Sequence, residues 1–273
     1  MAETDADEDV LEYADATRVR VLETNVLHVD DVVYWLDGAS AASEADMNRI
    51  DRRLSVRLDA APRDLRMVHR PGQLALWRRP QDGMIAGQAT PEQVAQAPVP
   101  PFVLEGTVSD ATGHFNPARF ALTLGAGDGV AVVLYPTPLG VALSGSGGVI
   151  GSLRFAGSNA PAAWALLELE VELSAAETQL YRAQADRRGD FALALNRLPP
   201  LPQSATEYPA LLRVRAIETA MPDSAPDTDA FVEQELEANA AADFSTQFAM
   251  AVRPGEIRRI QSFDKPYVAV QPA

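Results

Sequence analysis

The residues best suited to chemistry in this chain are its three histidines, His28, His69 and His114, together with a serine between glycines, Ser146, and the alternating acids Glu168, Glu170 and Glu172. A metal held by imidazoles needs two of them at a spacing that puts both rings on one face. No pair of these histidines has such a spacing, and each reads as a strand-edge or loop residue. One mixed possibility stays open, a histidine with nearby acids such as Asp30 and Asp31. Ser146 lies in Gly145-Ser146-Gly147, which lacks the strand-to-helix setting of a nucleophile elbow and reads as linker. The three glutamates alternate with Leu167, Leu169, Val171 and Leu173. That period of two describes the solvated face of a strand better than a pair of acid and base carboxylates. Asp5, Asp7 and Asp9 mimic the first ligands of a calcium loop, but its glycine and closing glutamate are missing. Trp35, Trp77 and Trp164 fall in strand-like runs, where core packing competes with a sugar-stacking platform. These residues do not add up to a catalytic set, so the chain is expected to be non-enzymatic, with no cofactor and no metal.

Composition narrows the partners. The 273 residues carry a formal charge of −15, with 38 acids against 23 bases. That balance argues against nucleic acid and anionic membrane surfaces, which need a basic footprint. Lys265 is the single lysine; the arginine bias reflects either genome composition or a use of planar guanidinium contacts at interfaces. There is no cysteine, so disulfides and thiolate sites are excluded. The first residues, acidic and without an apolar stretch, do not read as a secretory signal. No apolar run approaches the ~20 residues that span a bilayer. The chain is expected to be made and kept in the cytoplasm, unless a virion or phage-like particle carries it out.

The elements that must position these residues are mostly strands. Apolar residues at 47% allow a real core, while 20 prolines and 17 glycines point to many turns. Residues 1–15, with seven acids and no base, read as an acidic arm; Asp5, Asp7, Glu8 and Asp9 would be its contact residues on a basic partner. Strand-like runs come next at 18–23, 31–36, 54–58, 65–68 and 74–77. Ser43 would cap a short helix with Met47, Ile50 and Leu54 on one face. A proline-rich stretch at 80–101 reads as linker or long crossing loop. Further strands are expected at 102–108, 120–124 and 130–135, the last two joined by a glycine-rich hairpin turn that lacks the lysine and helix of a phosphate loop. The glycine and serine of 140–148 mark a boundary.

Beyond it come strands at 149–155, 164–173 and 211–215, and a hairpin formed by 181–185 and 191–195. Asp227 or Thr228 would cap an outer helix carrying Phe231, Val232, Glu235 and Leu236, with Phe231 and Leu236 as contact residues. Final strands are expected at 248–252 and 257–260. A faint echo links the halves: His114-Phe115-Asn116 with its following strand resembles Gly189-Asp190-Phe191 with its own. The expected fold class is mainly β, two antiparallel β-sandwich-like domains with one or two short peripheral helices. The expected organisation is the arm at 1–15, a β-rich domain at 16–145 and a sandwich with a helix-bearing extension at 146–273.

Four pieces occur in order in the second half: Ile150-Gly151-Ser152-Leu153, then Asn159-Ala160-Pro161-Ala162, then a strand over 165–171, then Asp186-Arg187-Arg188-Gly189-Asp190-Phe191. In the last, Asp186 would accept N–H groups across the turn, Gly189 would take φ > 0 and Phe191 would drop into the core. Together they resemble a carboxypeptidase regulatory-like domain, a transthyretin-like β-sandwich, over about residues 149–199. The resemblance implies an accessory module that does no chemistry, of the kind found beside peptidases, in surface proteins and in phage-derived assemblies. The expected function is a structural or assembly subunit of a larger particle, such as a phage tail or contractile assembly, with other protein subunits as partners and possible homo-oligomers. The alternatives are a carbohydrate- or peptide-binding module using Trp35 or Trp77, and an accessory protein of a hydrolase.

Overall fold

The computed structural model describes residues 31–62, 65–78, 101–125, 129–203 and 205–273, with Trp77 and Arg78 described by their backbone alone. Asp5, Asp7, Glu8, Asp9, His28, the run at 18–23 and most of the proline-rich stretch lie outside the described residues.

The chain is mainly β. In the first half, β1 (Asp31–Asp37), β2 (Ser55–Ala60), β3 (Leu65–Arg70), β4 (Gln73–Arg78), β5 (Phe102–Ser109), β6 (Ala118–Leu124) and β7 (Gly129–Leu134) form two sheets, β3-β4-β1-β7 and β2-β5-β6. All pairs are antiparallel except β1 with β7. Along β1, β4, β5 and β6 the buried residues alternate with more exposed ones, as a half-buried pleat requires. Val33 and Trp35 of β1, Leu74 and Leu76 of β4 and Leu134 of β7 meet Leu104 and Val108 of β5 and Phe120 and Leu124 of β6 in one core. The Trp35 and Phe120 rings join the two layers at 6.1 Å between centroids.

The second half holds β8 (Gly148–Phe155), β9 (Leu166–Ser174), β10 (Glu177–Gln184), β11 (Asp190–Ala194), β12 (Tyr208–Ala216), β13 (Val232–Glu237), β14 (Phe244–Ser245), β15 (Phe248–Val252), β16 (Ile257–Arg259) and β17 (Val268–Pro272). Hydrogen bonding runs β10-β9-β12-β13-β17-β8-β11. The path doubles back on itself. Its two ends, β10 and β11, are consecutive in the chain, and β15, paired with β12, passes through one turn to β16, paired with β8. The layers so formed enclose Leu167, Leu169 and Val171 of β9, Leu212 and Val214 of β12, Leu153 of β8, Phe191 and Leu193 of β11 and Val268 and Val270 of β17.

Several sequence expectations change at this level. The helix expected after Ser43 is a single 3-10 turn, Glu44–Asp46, and the Ser43 side chain makes no capping bond. Ile50 and Leu54 are buried through extended backbone instead: the Ile50 N–H donates to the Trp35 carbonyl at 2.9 Å, so the segment runs alongside β1. The outer helix after Asp227 is likewise reduced to Thr228–Ala230. The next segment is β13, hydrogen-bonded to β12 on one side and β17 on the other, because two available strand edges outweigh a weak helical spacing. The strand expected from Trp164 begins at Leu166, since Trp164 is left-handed at φ +64°. The hairpin of 181–185 with 191–195 is an arch: β10 pairs with β9 and β11 with β8. The stretch 149–199 also supplies only four strands of its sandwich, which β12 to β17 complete, β17 being a strand not foreseen. Among the described residues, no helix is long and apolar enough to cross a membrane.

Candidate functional site

The turn after β10 behaves as its residue types demand. Asp186 Oδ1 accepts the N–H groups of Arg188 at 2.7 Å and Asp190 at 3.1 Å, and the Gly189 N–H closes on the Asp186 carbonyl at 3.0 Å. Gly189 sits at φ +80°, and Phe191 is 2% exposed in the core. The same turn occurs in the first half, between β5 and β6. Asp110 accepts the N–H groups of Thr112 at 2.9 Å and His114 at 3.0 Å, the Gly113 N–H closes on the Asp110 carbonyl at 3.0 Å, and Gly113 lies at φ +73°. The echo between halves is thus a shared Asp-x-x-Gly-x-Phe turn, Asp110 to Phe115 and Asp186 to Phe191.

The two acids are electrostatically opposite. Burial pushes the Asp186 carboxyl above its usual range, and the N–H groups of Arg188 and Asp190 only partly offset it. Burial also pushes Asp110 upward, but donors from Thr112, His114 and Phe115 outweigh it and hold the carboxyl low. Around Asp110 lies the arrangement nearest to a nucleophile among the described residues. Thr112 Oγ1 is 2.8 Å from His114 Nδ1 and from both Asp110 oxygens, and Arg52 donates to it at 3.0 Å. A triad needs its carboxylate behind the histidine, orienting it. Here the carboxylate holds the hydroxyl and the N–H groups of its own turn, and the cluster locks an exposed turn.

Both turns lie beside the seam between the halves. Asn116, 1% exposed, donates from Nδ2 to the Gln184 and Ala185 carbonyls at 3.3 and 3.2 Å. Trp164 donates its backbone N–H to Asp186 O at 3.2 Å and its indole N–H to Met221 O at 3.1 Å. An apolar plug of Ala163, Trp164, Leu166 and Phe231 packs against Tyr135 of the first half. Alongside it, Arg182 bonds Glu168 at 3.0 Å and the Ala42 carbonyl at 2.5 Å. Burial pushes the Tyr135 phenol up, with Arg182, Glu168, Arg215 and Asp37 as the charges around it.

The remaining sequence-derived candidates are dispersed. Phe231 is 6% exposed in the seam plug and Leu236 is 1% exposed in the second core, so neither presents itself to a partner as an outer helix would have allowed. Burial of Trp35, at 2%, and Trp164, at 4%, removes Trp35 from the sugar-stacking reading. Glu168, Glu170 and Glu172 share the outer face of β9, where Glu168 pairs with Arg182 and Glu170 lies 3.9 Å from Arg213. Ser146 contributes its backbone carbonyl to Gly255 N–H. Among the described residues, no group of three or more metal-ligating side chains converges.

Sequence reasoning missed the arginines beside the Asp186 turn. Arg187 and Arg188 are exposed there, and Arg57 of β2 and Arg154 of β8 each line one of two adjoining hollows that share Arg187. The signal was the arginine pair inside the turn motif, which its neighbours in the fold turn into part of a groove. No family model, no curated protein and no solved structure matches this chain.

Proposed function

We propose that the protein is a non-enzymatic structural or assembly protein, a subunit of a larger particle such as a phage tail or phage-derived contractile assembly, whose β-sandwiches make protein–protein contacts. The observation that carries this reading is the edge strand β3. Among the described residues it pairs with β4 alone, and its sequence, Leu-Arg-Met-Val-His-Arg, contains no carboxylate and no proline. Met67 and Val68 are 38% and 43% exposed, and as neighbours on a strand they point to opposite faces. Among the described residues this edge is open, and its apolar side chains on both faces, beside Arg66 and Arg70, make it a template for strand addition. In a chain of 38 acids, a basic edge also suits an acidic neighbour.

The Asp186 turn and the period-two strands around it support reading residues 149–199 as a carboxypeptidase regulatory-like module, with β12 to β17 continuing the sandwich. The test is isolation of the native complex, with size-exclusion chromatography and negative-stain imaging, beside the variants Met67→Glu and Val68→Glu. The expected result is a large particle that excludes both variants while each keeps the wild-type circular dichroism spectrum. A free monomer with no companion in its native source, or variants that assemble as well as wild type, overturns the proposal.

A further inference from the structure

Two concavities, of about 480 and 390 Å³, meet at the seam along Arg187, Pro222 and Asp223. Arg57 and Trp164 line the first, and Arg154, Arg188 and Asp190 the second. Four arginines thus converge from β2 in one half and from β8 and the Asp186 turn in the other. Arg154 is held, donating to the Asn159 carbonyl at 3.0 Å and lying 5.7 Å over the Tyr267 ring. Arg57, Arg187 and Arg188 are exposed, and none of them makes a salt bridge among the described residues. Asp190 and Asp223 are the acids in the lining, so the groove has an excess of positive charge on a chain whose net charge is −15. Guanidinium groups offer planar, forked donors that match carboxylates two bonds at a time. Arginine clusters of this kind recognise acidic peptide segments.

We infer that this groove binds an extended acidic peptide, and that its occupant is the acidic segment at residues 1–15 of this chain, from the same or a second copy. Charge complementarity carries the assignment: the segment has seven acids, Asp5, Asp7, Glu8 and Asp9 among them, and no base. Reach permits it. Residues 16–30 separate the segment from β1. Fully extended they span about 50 Å, and a globular chain of 273 residues has a radius of gyration of about 19 Å. The inference does not rest on the β3 edge or on the particle reading, and its test uses neither.

The test places a photo-crosslinking amino acid at Val10 of the full chain and maps the products by mass spectrometry. The expected products join position 10 to the peptides around Arg187, Arg188 or Arg57. Their yield falls severalfold from about 0.05 M to about 0.5 M salt, as expected for exposed charges whose Debye length shrinks accordingly. Arg187→Glu with Arg188→Glu lowers the yield similarly, and replacing Asp5, Asp7, Glu8 and Asp9 by lysine restores it in that background. Products within one chain and products joining two copies both support the inference and distinguish the source of the segment. Crosslinks scattered over the surface, or a yield indifferent to salt and to charge reversal in variants with wild-type circular dichroism, overturn it.

Discussion

Gly113 and Gly189 hold the same place in the two turns, with nearly the same backbone, φ +73° and +80°. Replacing each by alanine separates what the turn itself requires from what its surroundings require. A β-carbon on a left-handed residue costs about 1–2 kcal/mol. At Gly113 the cost ends there, because nothing lies within 4 Å of the new atom. At Gly189 the new atom would sit 2.3 Å from the Leu153 carbonyl oxygen and 3.3 Å from the Ala162 nitrogen. Neither can yield alone, since Leu153 N donates to Gly189 O at 2.8 Å and Ala162 N donates to Leu153 O at 2.9 Å. Relief therefore moves the turn against β8 and weakens those bonds, at about 1 kcal/mol each, with about 1–3 kcal/mol of overpacking strain. Gly189→Ala is expected to lose about 4–7 kcal/mol and Gly113→Ala about 1–2 kcal/mol. Urea unfolding followed by circular dichroism and tryptophan fluorescence measures both; Trp164 bonds directly to the Asp186 turn. Equal losses, or a milder effect at Gly189, would refute the claim that the contact with Leu153 makes that glycine necessary.

Other expectations arise from the same geometry. Asp186→Asn keeps Oδ1, which accepts both turn N–H groups, and removes a charge that burial disfavours, so at pH 7 it is neutral or stabilising in urea. The raised pKa means that the protonated form is favoured in the fold, so Asp186 loses stability as pH rises through its folded pKa, and the advantage of asparagine shrinks as pH falls toward the ordinary carboxylate range. Asp110→Asn is the reverse: both oxygens are engaged, so about 1 kcal/mol is lost. Its lowered pKa makes the stability of the wild-type turn present above the unfolded value and lost as pH falls through the folded one. Asn116→Leu orphans the Gln184 and Ala185 carbonyls; about 1–2 kcal/mol is lost after allowing for Asn116 Oδ1, itself without a partner, and calorimetry should show the halves unfolding separately. Lys265→Met strands the Glu237 carboxylate, 3% exposed, at a cost of about 3–5 kcal/mol. Adding Glu237→Gln should recover most of that in thermal melts, and failure to do so would show that the ion pair is not the cause.

How much was readable in the sequence depended on the range of the interaction. The alternation of Leu167, Leu169 and Val171 with glutamates placed β9 and its faces, because the pleat alone sets a period of two. The Asp186 turn was readable for a similar reason, its donors and acceptor lying within five residues of one another. β13 was misread because Phe231, Val232, Glu235 and Leu236 also fit a helical spacing, and only the edges of β12 and β17 favour the strand. β17 itself is short, and the turn before it, with Asp264 left-handed at φ +53°, does not say which strand it will pair with. The arginine groove was invisible, as Arg57 lies far along the chain from Arg187.

The twin turns mark the boundary most clearly. For the Asp186 turn, residue types alone specified an aspartate that gathers N–H groups, a left-handed glycine and a buried phenylalanine, and it obeys; the Asp110 turn repeats the aspartate and the glycine, with Phe115 half-buried. The strands on either side of them were decided by tertiary structure. In the first half the turn closes a loop between paired strands, β5 and β6; in the second the same turn carries the chain from β10, on β9, across to β11, on β8. Local hydrogen bonds determine how a turn bends. Which strand its exit segment pairs with is set by the apolar faces that must be buried together, and those come from distant parts of the chain.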